Sequence, residues 1–190
     1  MGRVVVTEFV SLDGVMEAPG GDDDFVRGQW SFEFDRGDEG NEFKSGETLE
    51  ADGLLLGRKT YEGFASAWPQ RAGDPFADHF NSMQKYVVST TIKDPSWGNT
   101  TVLDSGDPAK DVGKLRDEID GYVIVHGSGQ LVHALIQADL VDELRLMVFP
   151  VVLGTGQKLF PDTEDSKKFG KVTDYRLVGE GVGLQVYERT

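Results

Sequence analysis

The chain has 190 residues, 33 of them acidic and 19 basic, with a formal net charge of −14. That length suits a single domain, residues 1–190, around a substantial core, and the charge opposes binding to nucleic acid or to anionic membrane surfaces. No cysteine is present, so disulfides, thiolate metal sites and thiol catalysis are excluded, and an anionic ligand must be held by local donors.

Arg3 to Val10, RVVVTEFV, is rich in β-branched residues and predicts a buried strand, closed by the turn-like Ser11-Leu12-Asp13-Gly14. Its apolar part is shorter than a signal-peptide core, and no run approaches the roughly 20 residues that span a bilayer, so a cytoplasmic protein is expected. Glu17 to Asn41 is crowded with Gly and Asp yet carries Phe25, Trp30, Phe32 and Phe34. This predicts a long loop serving as a lid or pocket wall; the alternating aromatics also fit one face of an irregular strand. The run Asp22 to Asp24 is expected at a solvated loop tip.

A short helix is predicted over Glu42 to Asp52, a second buried strand over Gly53 to Arg58 and a helix over Thr60 to Trp68, ended by Pro69 and Gly73. Lys85 to Ser89 and Thr100 to Leu103 predict two further strands, and Pro108 to Ile119 a helix with Pro in its first turn. Tyr122 to His126 is a fifth strand, broken by Gly127-Ser128-Gly129 before helical spacing begins over Gln130 to Ala138. Glu143 to Phe149, Lys171 to Val178 and Gly183 to Glu188 complete the strands. Strands alternating with helices, then strands alone, imply an α/β domain whose parallel sheet acquires an antiparallel edge.

Ligands of parallel α/β sheets bind beyond the carboxyl ends of the strands. The first strand ends in Ser11, Asp13 and Gly14, the second in Gly57, Arg58, Lys59 and Thr60, the third in Ser89, Thr90 and Thr91, the fifth in Gly127, Ser128 and Gly129. Arg58 and Lys59 bring charge, Thr60 an N-cap hydroxyl, and the glycine turn free backbone N–H groups at a helix start, where the dipole favours anions. These groups can together hold several phosphates. The bland alternatives are a solvated basic pair and plain strand-to-helix punctuation.

GLLLGRKTYEGF, KYVVSTT, YVIVHGSGQLVHAL and ELRLMVFPVVLGTGQKLFPD, in that order, resemble the dihydrofolate reductase superfamily. The opening VTEFVSLDGVME is similar to its riboflavin-biosynthesis branch, the C-terminal reductase domain. The resemblance implies a three-layer α/β/α fold with a mostly parallel eight-stranded sheet and an antiparallel C-terminal strand. It also implies NADPH, held by Gly57 to Thr60, with Arg58 on the 2′-phosphate, by Ser89 and Thr90 at the adenosine end, and by Gly127, Ser128, Gly129, Gln130 and Leu131 on the pyrophosphate. Val6 and Thr7 would lie beside the nicotinamide, and Ser11, Asp13, Gly14 and Trp30 would border the substrate. A homodimer is implied as well, and ELRLMVFPVVL is apolar enough to supply its shared face.

Two departures narrow the function. Folate reductases carry an acid on the helix before the GR-T motif and a Thr on the sixth strand; this chain has Met147 at that strand position. Glu42, Glu47 and Glu50 precede the motif, none in an identifying context. The cysteine-dependent zinc deaminase that accompanies many riboflavin reductases is excluded. No metal is expected, since His79, His126 and His133 lack partners at ligand spacing. His126 is expected to pack or face solvent at its strand end, or else to contact phosphate or relay a proton, and Asp13 to cap its turn or to supply a proton. The resulting expectation is an NADPH-dependent reductase of a small planar or sugar-derived substrate, resembling 5-amino-6-(5-phosphoribosylamino)uracil reductase. It would exclude water with the Val15 to Phe34 loop. The alternatives are a pterin reductase and a nucleotide-binding accessory protein without turnover.

Overall fold

A computed structural model describes residues 2–21, 25–160, 162–163 and 165–190, so the expectation for Asp22 to Asp24 lies outside the described residues. Eight strands, β1 (Arg3–Ser11), β2 (Gly53–Gly57), β3 (Gln84–Val88), β4 (Thr100–Leu103), β5 (Tyr122–His126), β6 (Glu143–Phe149), β7 (Lys171–Val178) and β8 (Val182–Glu188), form one sheet. Their order is β4-β3-β2-β5-β1-β6-β8-β7. The first six pair in parallel, whereas β8 runs antiparallel to β6 and to β7.

The helices are α1 (Gly37–Leu49), α2 (Arg58–Ala67), α3 (Pro75–Ser82), α4 (Pro108–Glu118) and α5 (Gly129–Gln137), with 3-10 turns at Trp30–Glu33 and Pro69–Arg71. The crossover from β1 to β2 runs towards β4, whereas those from β4 to β5 and from β5 to β6 run the opposite way. Right-handed connections therefore place their helices on opposite faces. Val112 and Leu115 of α4 and Leu131, Leu135 and Ile136 of α5 pack with Val4 and Val6. On the other face Tyr61 of α2 and Phe80 of α3 pack with Val5, Leu54 and Leu56. A third cluster joins Trp30, Met147, Phe149, Val178 and Leu184.

Local signals explain most helix starts. Asp107 caps Lys110 N at 3.1 Å ahead of Pro108. Asp74 caps Ala77 N at 2.9 Å ahead of Pro75, and that cap starts α3, absent from the sequence expectation although Asp-Pro is a start signal. Helix α1 begins five residues before the predicted Glu42, in a glycine-containing turn that propensity disfavours. Packing overrides it: a Cβ on Gly40 would meet Val178 Cγ2 at 3.2 Å.

Strand β6 lies between β1 and β8, with Leu144, Leu146, Met147 and Phe149 buried, so the β6 part of the expected shared face is interior to the sheet. Val152, beyond β6 in the same segment, is exposed, and edge strand β7 carries three exposed apolar side chains, Val172, Tyr175 and Leu177. No helix among the described residues is long and apolar enough to cross a membrane.

Candidate functional site

Strands β1 and β5 pair from Arg3↔Tyr122 to Thr7↔His126, after which β1 continues against β6 alone. A cleft of about 1760 Å³ lies along these strand ends, where the fold type leaves room for a ligand. Thr7, Gly57, Arg58, Lys59, Thr60, Ser89, Thr90, Gly127, Ser128, Gly129, Gln130 and Leu131 all line it. Val6 does not: it is fully buried in the core under α4 and α5.

Two helices begin at one end of this cleft. Helix α2 follows Gly57 and α5 follows Ser128, and neither has a side-chain cap. The first three N–H groups of each, Arg58 to Thr60 and Gly129 to Leu131, have no acceptor within their own helix. Because β2 and β5 are neighbours, both positive dipole ends open beside the same space.

The glycine turn is tied to β2 and α2. Ser128 N donates to Thr60 Oγ1 at 2.9 Å, Gly57 N donates to Ser128 Oγ at 2.9 Å, and that hydroxyl donates to His126 O at 3.1 Å. Gly127 has φ 56°, and a Cβ there would meet Thr60 Oγ1 at 3.2 Å. Two details of the sequence reading change. Thr60 lies within α2 and caps nothing, its hydroxyl holding the turn instead; Ser128 N–H is already engaged, leaving the N–H groups that follow it.

Arg58 pairs with Glu62 at 3.0 Å one turn along α2, while Lys59 makes no ion pair among the described residues. Ser89 Oγ accepts from Thr91 N at 3.2 Å and Ile92 N at 3.1 Å, closing a turn that presents Thr90.

The expected substrate residues lie elsewhere. Ser11, Asp13, Gly14 and Trp30 are absent from the cleft wall. Asp13 accepts from Ser11 Oγ at 2.7 Å, Leu153 N at 3.0 Å and Gly154 N at 2.8 Å. These bonds, led by Ser11, hold its carboxyl down at about 2. An acid so stabilised as its anion clamps the SLDG turn to the GTG loop and is unsuited to give up a proton. Ser11 Oγ accepts from Val15 N at 2.9 Å, and Gly14 takes φ 81° to close the turn. Trp30 packs edge-on against Phe149 with its Nε1 donating to Glu17 O at 2.9 Å, and Phe34 packs on the same ring. Of the three alternating aromatics only Phe32 lines the cleft, because a 3-10 turn rather than a strand sets their directions.

The other end of the cleft holds charged groups that the sequence left without a role. Lys44 Nζ donates to Thr7 Oγ1 at 2.7 Å, pairs with Glu47 Oε1 at 2.5 Å and lies 5.0 Å from the Phe9 ring centroid. Thr7 Oγ1 in turn donates to Glu47 Oε1 at 2.7 Å. Glu47 is the buried one of the three acids before the GR-T motif, Glu42 and Glu50 being exposed, and Arg145 lies 3.8 Å from its Oε2. Glu8, 4% exposed, lines the cleft; its Oε1 is buried with no hydrogen-bond partner, and its carboxyl makes no ion pair among the described residues. Burial pushes its carboxyl well above the usual range. Burial, helped by Lys44, pushes the His126 imidazole well below its usual value, leaving it neutral near pH 7. The discoverable signal for Glu8 was an acid inside a valine-rich strand; Lys44 and Glu47 showed only three-residue spacing on a helix.

The model of the RibD C-terminal domain matches residues 3–184. Two uncharacterised proteins of Bacillus subtilis (strain 168) are similar along nearly their whole lengths. YyaP is 27% identical, with 97% of this chain and 94% of that protein covered, and YwjB is 29% identical, with 96% and 95% covered. Among solved structures, a putative riboflavin biosynthesis protein from Shewanella sp. PV-4 has a TM-score of 0.72 at 21% identity, with 99% of each chain covered. A Thermotoga maritima diaminohydroxyphosphoribosylaminopyrimidine deaminase/5-amino-6-(5-phosphoribosylamino)uracil reductase has a TM-score of 0.62 at 14% identity. It aligns over 99% of this chain and 56% of its own. Those two likenesses show the fold, a dihydrofolate-reductase-like α/β sheet. On the match spanning residues 3–184, the chain belongs to the RibD C-terminal domain family.

Proposed function

We propose that the protein is an NADPH-dependent reductase of a small planar or sugar-derived substrate, of the class of 5-amino-6-(5-phosphoribosylamino)uracil. The observation that carries this reading is the convergence of two uncapped helix N-termini, α2 and α5, on one cleft that continues past them to a second polar end. The donor set fits a dinucleotide. Two sets of free N–H groups suit a pyrophosphate, unpaired Lys59 and surface-exposed Arg58 suit a 2′-phosphate, and Gly127 takes a backbone conformation that lets the chain approach closely. When bound, the dinucleotide supplies a hydride from its nicotinamide C4. The chain binds and orients: Lys44 presents the N–H that remains after those given to Thr7 and Glu47, while Phe9, Phe25 and Phe32 offer rings along the same cleft to a flat heterocycle.

Glu47 bears on the pterin alternative. It occupies the helix where a pterin acid is expected, but it is already neutralised by Lys44 and approached by Arg145, which favours the uracil reading. Fluorescence titration tests the cofactor. NADPH should bind saturably and more tightly than NADH, and Arg58→Ala should weaken NADPH roughly tenfold while leaving NADH nearly unchanged, about 1.4 kcal/mol. Oxidation of NADPH against pterin, pyrimidine and quinone acceptors tests turnover; binding without turnover on all of them favours the accessory reading, and no saturable binding of either dinucleotide ends the proposal. The same reading includes a homodimer, for which β7 supplies an exposed apolar surface.

A further inference from the structure

We infer that Glu8 is a neutral carboxylic acid and the proton donor of this site. The inference rests on the reductase reading above. Glu8 belongs to the strand RVVVTEFVS, with Leu146 of β6 as its register partner, and it lines the cleft just past the last β1–β5 pair. Only 4% of it is exposed, its Oε1 is buried without a hydrogen-bond partner, and among the described residues no ion pair holds its carboxyl.

The two charged groups that act on Glu8, Lys44 and Glu47, are committed to each other. On α1, Lys44 pairs with Glu47 at 2.5 Å; on β6, Arg145 binds Glu143 at 2.6 Å and approaches Glu47. His126, at the end of β5, is kept neutral. Glu17 in the loop accepts from Gln157 N at 2.7 Å. Among the described residues no cation forms an ion pair with the Glu8 carboxyl, Lys44 acting on it while paired to Glu47, and an unpaired buried carboxylate is strongly disfavoured. Burial raises its affinity for a proton, Glu47 adds to the effect and Lys44 opposes it, burial being the largest.

Reduction of a C=N or C=O bond adds a hydride to carbon and a proton to the heteroatom. The two electrons arrive with the hydride from the bound dinucleotide. As the π pair moves onto the heteroatom, the Glu8 O–H bond breaks and its proton forms the new N–H or O–H bond. The carboxylate left behind lies near Lys44 and regains a proton from water when the cleft empties. Asp13, held as its anion by three hydrogen bonds, and neutral His126 are both poorly suited to this step.

The first test needs no substrate. Infrared difference spectra of the whole chain against Glu8→Gln at pH 7 should show a protonated-carboxyl band that shifts in D₂O. Glu8→Gln should also raise Tm at pH 7 and not at pH 4. The unfolded chain ionises Glu8 above its ordinary value while the folded chain retains the proton, so stability is lost as pH rises across that window. Absence of both the band and the Tm rise overturns the proposal.

The second test is single-turnover oxidation of NADPH with 5-amino-6-(5-phosphoribosylamino)uracil as acceptor. Glu8→Gln should slow it at least a hundredfold and abolish the fall in rate at high pH, with NADPH affinity unchanged within about threefold. A variant as fast as the parent also overturns it. If the parent itself fails to bind NADPH, the reductase reading fails instead, and the infrared band still reports whether Glu8 is neutral.

Discussion

Asp13 receives three hydrogen bonds, one from its own turn and two from the loop that follows β6. Its type and its SLDG setting were legible in the sequence; its task was not, because Leu153 and Gly154 lie some 140 residues away and reach it only in the folded sheet. Its folded pKa is depressed from 3.8 to about 2. The stability it contributes is therefore complete above about pH 3.8 and is lost as pH falls towards 2. Asp13→Asn should lower Tm at neutral pH, with the gap to the parent closing across that acid window, while hydride transfer stays near the parental rate. A loss of turnover at unchanged Tm would return Asp13 to the chemistry. Glu8 is the converse case: equally visible as a letter, it acquires its character from desolvation that depends on every neighbour packed around it.

At the scale of elements, the glycine turn and the two helix starts act as one unit. Thr60, in the first turn of α2, accepts from the backbone of the turn before α5, and Ser128 answers by accepting from Gly57. Thr60→Val removes that acceptor and leaves Ser128 N–H unpaired, costing about 1–3 kcal/mol of stability. It should weaken NADPH and NADH alike, roughly tenfold, because the pyrophosphate is common to both. Arg58→Ala, acting at the 2′-phosphate, should discriminate between them. Equal affinities for Thr60→Val and the parent would mean that the turn needs no such tie.

Most strands were legible because short β-branched runs between turn residues have few other uses. Strands β4, β5, β6 and β7 occupy their expected residues. Helix α1 was less so: Gly37, Gly40 and Gly46 argue against helix locally, and close approach to β7 decides otherwise at Gly40.

At the scale of the molecule, the sheet has one edge at β4 and the other at β7. On β7, Val172, Tyr175 and Leu177 are more than half exposed, and they pair in register with Tyr187, Gln185 and Gly183 of β8, which puts them on one face. An exposed apolar edge of this kind is where strand proteins associate. Sedimentation equilibrium should return twice the chain mass, and Tyr175→Glu combined with Leu177→Glu should return the chain mass with the fold intact. A dimer that survives both changes would place its interface elsewhere.

The sequence alone determined the succession of strands and helices and the phosphate-facing motifs. These depend on residues close together in the chain, where hydrophobic period, glycine conformation and helix dipoles act locally. Only the tertiary structure decided which polar groups share the far end of the cleft. Thr7, Glu8, Lys44 and His126 come from β1, α1 and β5, with Glu47 of α1 buried behind Lys44. The proton affinities of Glu8 and His126 follow from burial and from the charge of Lys44 nearby, which exist only once these elements have packed together.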